Sequence, residues 1–593
     1  MSDPNDIHSS HKRNVHAIAS NEFINPQHSE SQHEPSKINL KSNLSQVTLK
    51  TFQEKDELHG DKPSYITSNL KKKIFTKKNE QQQIQEVMSR LRQTCFITTR
   101  DRHKQHEYRS NGLKIIKYII SKFSADKLSY LHMVHILWGY LTCIHHFQTR
   151  LILKSGIISW SRQKKFNRVA KFLDDLLKYF PKGSHVIIVS AVMTFFKVGK
   201  LWENEQVCHL VLGRTMTFTM NIEDSLLFII NTAEELSLSD SSQARDVIQI
   251  LYQLLQFMKF QDLSEAFMTK LMYMYQLSID TSPRDKFKYG YLKEGVQYSL
   301  KVCIKYFPKQ RKSKLLELIL DIVDKQNLSE NGIINFGLLA EMAAFRLMYD
   351  SPLLSIPKKM LTLCFKFIIS HCVYKSLLGL VVYQNLWDRF VNRPYFSTPV
   401  IFKDEGNYHL TFGSYTPQSK NYFNNDLKDA FQNCFLDCLR HNCNNKIVLE
   451  HIFTCIALNL CDLPCGVVAS SAACLAMKIQ EYSLSARDSL SYEHQFHLHA
   501  MVVSILSLIC YIFQADELHD YINRIIHKRA MFGPHLLPPL RPTYEYAPHH
   551  ILYNYGDFYV EDWELRYGLW KCFREHQIVN IREKKNTNFP NNA

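Results

Sequence analysis

Apolar side chains recur every 3.6 residues in segment after segment between about residue 111 and residue 529, and no other feature narrows the fold so far. Val247, Leu251, Leu254 and Met258 share one helical face, with Ile248 and Leu255 beside them. Leu292, Val296, Leu300, Cys303 and Phe307 make a second stripe, and Leu316, Ile319, Leu320 and Val323 a third. The stretches between stripes carry the Ser, Asp, Asn and Pro residues that start and stop helices: SLSDSSQAR at 237–245, DTSPRD at 280–285, the step at Pro308, NLSENG at 327–332 and DSPLLSIP at 350–357. Glycine (18) and proline (19) are both scarce in 593 residues, which suits long helices and not a many-stranded sheet.

A chain of this length divided into compact domains would hold about three or four. Helix pairs stacked in a row escape that division, because each pair buries its apolar faces on its neighbours. The breaks fall roughly every 40 residues, as in a helix-pair repeat, although no signature sequence recurs. The expected fold is all-α: a HEAT/armadillo-type helical solenoid with a disordered N-terminal region. The expected boundaries are 1–105 disordered and basic towards its end, 106–392 a helical-repeat rod, 393–425 an irregular loop, 426–533 further helical repeats, and 534–593 a tail rich in proline and aromatic residues. Disorder is read from a Ser-, Asn-, Gln-, His- and Lys-rich composition with no sustained period.

The formal net charge of +16 favours anionic partners: nucleic acid, acidic protein or an anionic membrane surface. Lys71, Lys72, Lys73, Lys77 and Lys78 surround Ile74 and Phe75. Such a segment suits a membrane surface, where each cation contributes about 1 kcal/mol. Single-stranded nucleic acid calls for aromatic platforms spaced among the basic residues. Phe75 alone meets that need, so nucleic acid is disfavoured. The longest apolar run, Met501–Phe513, is shorter than the roughly 20 residues of a membrane-spanning helix, and His497, His499, Asp516 and Glu517 flank it. It is expected to be a buried helix. Met1–Gln27 lacks the charged-then-apolar pattern of a secretory leader. Cysteines such as Cys455, Cys461, Cys474 and Cys510 lie in apolar helical runs, which points to free thiols in a reducing compartment.

Motifs for chemistry are missing. The chain has no GxSxG elbow, phosphate-binding GxxxxGK[ST] loop, HExxH pair or GxGxxG turn, so no catalytic residue, cofactor or metal is expected. Cys434, Cys438, Cys443 and His441 do not have the paired CxxC spacing of a zinc site, and Cys434 and Cys438 share a helical face as packing residues do. His497 and His499, two apart, point to different sides of a helix.

Three stretches carry a family resemblance. NLWDRFVNR at 385–393 follows an N-L-x-D-R-x-x-N-R step through Asn385, Leu386, Asp388, Arg389, Asn392 and Arg393, whose polar members are placed to cap a helix end or bridge to the next pair. Asn445–Glu481 is a helix pair with an I-A-L step, a short acidic turn at Asp462 and a second helix rich in small residues. His499–Pro538 places Arg529, Pro534 and Pro538 at a further matching spacing. Together these resemble the Rolling blackout (eighty-five-requiring) family. The resemblance implies a non-enzymatic scaffold that recruits a type III phosphatidylinositol 4-kinase through a tetratricopeptide-repeat partner. It also implies peripheral attachment to the cytosolic face of the plasma membrane. Members of that family typically begin with a palmitoylated cysteine cluster, whereas the first cysteine here is Cys95. The C-terminal tail is also shorter than is usual. The alternative expectation is a soluble helical-repeat adaptor in the cytoplasm that has lost membrane anchoring.

Overall fold

The computed structural model describes residues 79–150, 160–199, 205–218, 222–258, 260, 263–279, 289–349, 357–403, 406, 408–413, 425–486, 490–541 and 556–575. Residues 72–593 form one compact unit, and a separate unit, 1–71, lies outside the described residues. Among the described residues there are twenty α-helices and no strand.

The first three helices are α1 (Glu80–Cys95), α2 (Arg102–Lys122) and α3 (Tyr130–Thr149). Helix α1 corrects the expectation of disorder to residue 105. Ile84, Val87, Met88, Leu91 and Cys95 fall on one face and are buried, a stripe that the intervening Gln, Glu and Arg residues dilute in the sequence. The stack continues through α4 (Trp160–Tyr179), α5 (His185–Gly199), α6 (Glu205–Phe218), α7 (Ile222–Ser239), α8 (Ser241–Met258), α9 (Glu265–Ile279) and α10 (Lys293–Tyr306). Next come α11 (Lys309–Lys325), α12 (Glu330–Tyr349), α13 (Lys358–Ile368) and α14 (Val373–Trp387). After the loop, α15 (Asn425–Asn442), α16 (Lys446–Asp462), α17 (Gly466–Ser485), α18 (Tyr492–Phe513), α19 (Asp516–Phe532) and α20 (Asp562–Glu575) complete the unit.

From α7 to α18 the helices lie in two layers. The even-numbered row packs α8 on α10, α10 on α12, α12 on α14, α14 on α16 and α16 on α18. The odd-numbered row packs α7 on α9, α9 on α11, α11 on α13, α13 on α15 and α15 on α17. Each helix also packs on its sequence neighbour across the layers, as in α7 with α8, α13 with α14 and α17 with α18. This is the armadillo-type arrangement: every pair contacts only adjacent pairs, and the buried faces merge into one continuous core.

Helix ends follow their sequence signals. The Asp101 carboxylate accepts the N–H groups of His103 and Lys104 at the start of α2, and the Asn445 amide oxygen accepts those of Ile447 and Val448 at the start of α16. Helix α18 is apolar enough to span a membrane, with a mean hydropathy of 2.0 over 18 residues, yet that window is wholly buried inside the protein. Helices α16, α17 and α19 surround it. His497 and His499 are packed within it: His499 Nε2 lies 3.2 Å from Ser483 Oγ and His497 Nε2 lies 3.2 Å from the Arg541 carbonyl oxygen.

Candidate functional site

The structure joins the polar residues of the 385–393 step to Asp462 in one clasp at the end of α14. Asp388 ends that helix, and its carboxylate accepts the N–H groups of Asn392 at 2.6 Å and Arg393 at 3.1 Å. These bonds hold Val391 at a φ of 58°, a left-handed conformation that costs a β-branched residue about 1–2 kcal/mol. Arg389 then bridges to the next pair, donating Nε to Asp462 Oδ1 at 2.7 Å and Nη2 to the Asp462 carbonyl at 3.2 Å. The sequence admitted either capping or bridging at this step, and the two neighbours divide the roles.

Asn392 pins the returning loop with a two-way bond. Its Nδ2 donates to the Thr411 carbonyl at 2.7 Å, and its Oδ1 accepts the Thr411 N–H at 3.0 Å. Arg393 reaches back to Glu341 of α12 at 3.3 Å. Leu386 is fully buried, and the Asn385 side chain donates to the Val381 carbonyl one turn earlier. Gly413 donates its N–H to the Cys461 carbonyl at 2.9 Å, and a Cβ there would collide with the Asp462 carbonyl oxygen. The extended stretch at Val400 and Phe402 lies on α18, where Ser504 Oγ and Ser507 Oγ accept their N–H groups at 2.9 and 3.1 Å.

Burial pushes the Asp462 carboxyl up to about 7, against the pull of Arg389 and with help from Asp388. Its Oδ2 has no hydrogen-bond partner, and the residue is 2% exposed. A perturbed carboxyl in an open cleft would suggest catalysis. This one is sealed beneath the loop, out of reach of a substrate, so its work is structural. Burial likewise raises Asp388 and lowers the neighbouring His451 to about 4.

Arg529 makes the second station. It is fully buried in α19, and its guanidinium donates to the carbonyls of Phe558 at 2.7 Å, His499 at 3.1 Å and Leu536 at 3.1 Å. Burial lowers its pKa to about 10, with the Tyr559 hydroxyl opposing that shift. Three carbonyls from separate segments converge on one side chain, which ties the tail to α18 and α19. Pro534 opens the short 3₁₀ turn at Pro534–Leu536 that presents one of them, and Pro538 follows it.

The tail is therefore partly built into the unit. Phe558, Tyr559 and Val560 are buried, and α20 lies on α17 and α19 with Leu565, Leu569 and Cys572 inside. Its outer face leaves Trp563, Tyr567 and Trp570 exposed. A groove of about 510 Å³ runs between α17 and α20, lined by Cys474, Met477, Leu565, Leu569, Trp570 and Phe573 among others. Cys474 is exposed there, while Cys455, Cys461 and Cys510 are buried.

Lys71, Lys72, Lys73, Lys77 and Lys78 lie outside the described residues. Cys434 and Cys438 are buried packing residues, with Sγ atoms 3.7 Å from the Phe365 carbonyl and 3.4 Å from Ser376 Oγ. Among the described residues no group of three His, Cys, Asp or Glu side chains is arranged to hold a metal ion. Sequence reasoning missed the loop contacts of Gly413 and Thr411 and the carbonyl cage around Arg529, because their partners are distant in the chain or are backbone atoms.

A family model described as "EFR3, armadillo repeat" matches residues 69–547. Protein EFR3 homolog A of Mus musculus is 23% identical over 161 residues, which cover 27% of this chain and 20% of that relative. The matched part thus spans a fifth of the relative's own length. No solved structure matches the chain.

Proposed function

The chain belongs to the EFR3 armadillo-repeat family, and from that premise we propose that it is a non-enzymatic scaffold helping to recruit a phosphatidylinositol 4-kinase complex to the inner face of the plasma membrane. The observation that carries the reading is the length of the family match, 69–547, over a stack of helix pairs. A stack of this kind offers a long rigid surface, and the sealed Asp462 and Arg529 stations serve rigidity and not turnover. The partner expected from the family resemblance is a tetratricopeptide-repeat protein bridging to a type III kinase. Lys71, Lys72, Lys73, Lys77 and Lys78 would add electrostatic attraction to an anionic leaflet.

The test uses the tagged full chain in cells. Its location is imaged, and lipid-kinase activity is measured in the material that co-purifies with it. Enrichment at the cell periphery together with 4-kinase activity in the pull-down is the expected result. Diffuse cytoplasmic signal with no associated kinase activity overturns the proposal in favour of a soluble adaptor.

A further inference from the structure

We propose that Arg102, Arg150, Arg162 and Lys165 form a binding site for a compact phosphate ester carrying several negative charges, free in solution or on a lipid headgroup. The four come from three places in the fold: the first residue of α2, the residue after α3, and the first two turns of α4. Long-range contacts join them. Arg150 Nη1 donates to the Arg102 carbonyl at 3.4 Å, and Arg162 Nη1 donates to the Arg150 carbonyl at 2.9 Å. Lys165 Nζ lies 2.8 Å from His106 Nε2, 3.3 Å from Ser110 Oγ and 4.8 Å from the centre of the Phe147 ring.

Among the described residues none of these four cations has an ion-pair partner. Elsewhere on the helices cations find carboxylates, as in Lys127 with Glu80, Arg90 with Glu86, Arg214 with Asp174 and Lys270 with Glu234. Asp101, beside Arg102, is committed to capping α2. Residues 151–159, LILKSGIIS, contain no acidic side chain. The charges acting on His106 are Lys165, Arg150, Arg162 and His103, all of one sign. Burial and these neighbours keep His106 neutral down to about 4, and His146, which also faces Arg109 and Arg150, to about 3. The same two causes lower Arg150 and Lys165.

Arg150 and Lys165 are half-buried and Arg102 and Arg162 exposed, and crowding unpaired cations of one sign in this way is unfavourable unless an anion completes it. A guanidinium has five N–H donors, and those of Arg150 and Arg162 each offer one bond to a protein carbonyl here, so donors remain for a ligand. Phosphate matches that demand, because its oxygens accept the two-pronged arginine fork and its charge cancels the repulsion. His106 Nδ1 and His146 Nε2 are buried without hydrogen-bond partners and become further donors once an anion favours their protonation. Convergence of all these groups at one junction favours a small, highly charged ligand over a diffuse surface. The site is built from α2, α3, α4 and the residue after α3, and it does not depend on whether the chain recruits a kinase.

The test is calorimetric titration of the full chain with inositol hexakisphosphate, beside co-sedimentation with phosphatidylcholine vesicles with and without phosphatidylinositol bisphosphate. The triple variant Arg150→Gln, Arg162→Gln and Lys165→Gln is compared with Lys305→Gln, Lys358→Gln and Lys375→Gln, which removes equal charge elsewhere. Each cation lost at the site should weaken binding about fivefold, about a hundredfold for the triple variant, with the control unchanged. Binding should tighten, with proton uptake, as pH falls from about 7 to about 5. The unliganded triple variant should melt no lower than the wild type, since it sheds repulsion, and Lys165→Gln alone gives the milder form of the test. Binding to both probes assigns the site to the phosphate chemistry itself, and binding only to the lipid-bearing vesicles assigns it to a headgroup. Failure of the wild type to bind either probe, or equal loss in the control, overturns the proposal.

Discussion

Asp462→Asn tests the clasp at its most strained atom. Asp462 is buried, one carboxylate oxygen accepts from Arg389, and the other has no partner. Its carboxyl therefore titrates near 7 in the folded chain against 3.8 for an ordinary aspartate. A folded pKa above the unfolded one means that the protonated form favours folding. That contribution is complete below about pH 4 and is lost as pH rises to about 7. A shift of about three units corresponds to about 4 kcal/mol. Asparagine keeps an oxygen facing Arg389 and cannot ionise. The variant should equal or trail the wild type at about pH 5 and lead it at about pH 8. With about 1 kcal/mol/K of melting entropy for a cooperative unit of this size, the lead is about 4 °C. The buried histidines His106, His146, His451 and His535, all held well below the usual imidazole value, act the other way and lose stability as pH falls below about 6.5. They are common to both chains, so the difference between two melting curves isolates Asp462. Thermal melts followed by far-UV circular dichroism supply it. A difference that does not grow between pH 5 and pH 8 refutes the assignment of a strained, ionising Asp462.

Arg529→Met should destabilise the C-terminal helices by about 3–5 kcal/mol, because three buried carbonyls lose their donor; limited proteolysis should then cut before α20, and unchanged protection counts against the cage. Gly413→Ala should lower the melting midpoint and speed cleavage in the 403–425 loop, since the added methyl collides with the Asp462 carbonyl; a wild-type cleavage rate shows that the loop is not clasped. A chain ending at Arg541 exposes the surface that Leu565, Leu569 and Cys572 cover and should lose about 5 kcal/mol. An unchanged midpoint with a lost binding partner would instead make α20 a docking element and not a cap.

Sequence patterning revealed the all-α repeat class and the buried face of individual helices, but not which helices pack together. The stripes at 247–258, 292–307 and 315–323 lie on α8, α10 and α11, whose buried residues include Val247, Leu251, Val296, Leu300, Leu316 and Ile319. Period survives because one face of each helix must be apolar whatever it packs against. Helix α1 escaped notice because its five buried residues are spread over sixteen, among polar ones. The cation cluster escaped for a different reason: Arg102 and Arg150 are 48 residues apart, and no local spacing rule links them. Arg529 was found through its motif, yet its role was invisible, since its partners are backbone carbonyls and carry no side-chain signature.

Burial of apolar faces is non-directional, so by itself it leaves one helix pair free to slide or rotate on the next. Directional bonds across the even-numbered row remove that freedom. Gln384 donates Nε2 to the His451 carbonyl at a separation of 67 residues, Tyr383 pairs with Asn459 across 76, and Arg389 with Asp462 across 73. All three lie between α14 or the turn that follows it and α16, and all are at least partly shielded from water, where an unmade bond is costly. A slip of one residue along α16 would break them together. Tyr383, Gln384 and the motif's Arg389 therefore form, in physical terms, a register lock between two repeats. The loop that follows is pinned beside it through Asn392 and Gly413. A surface that must present fixed spacings to a partner needs such locks more than it needs a larger core, and they are placed at the step where the loop interrupts the stack.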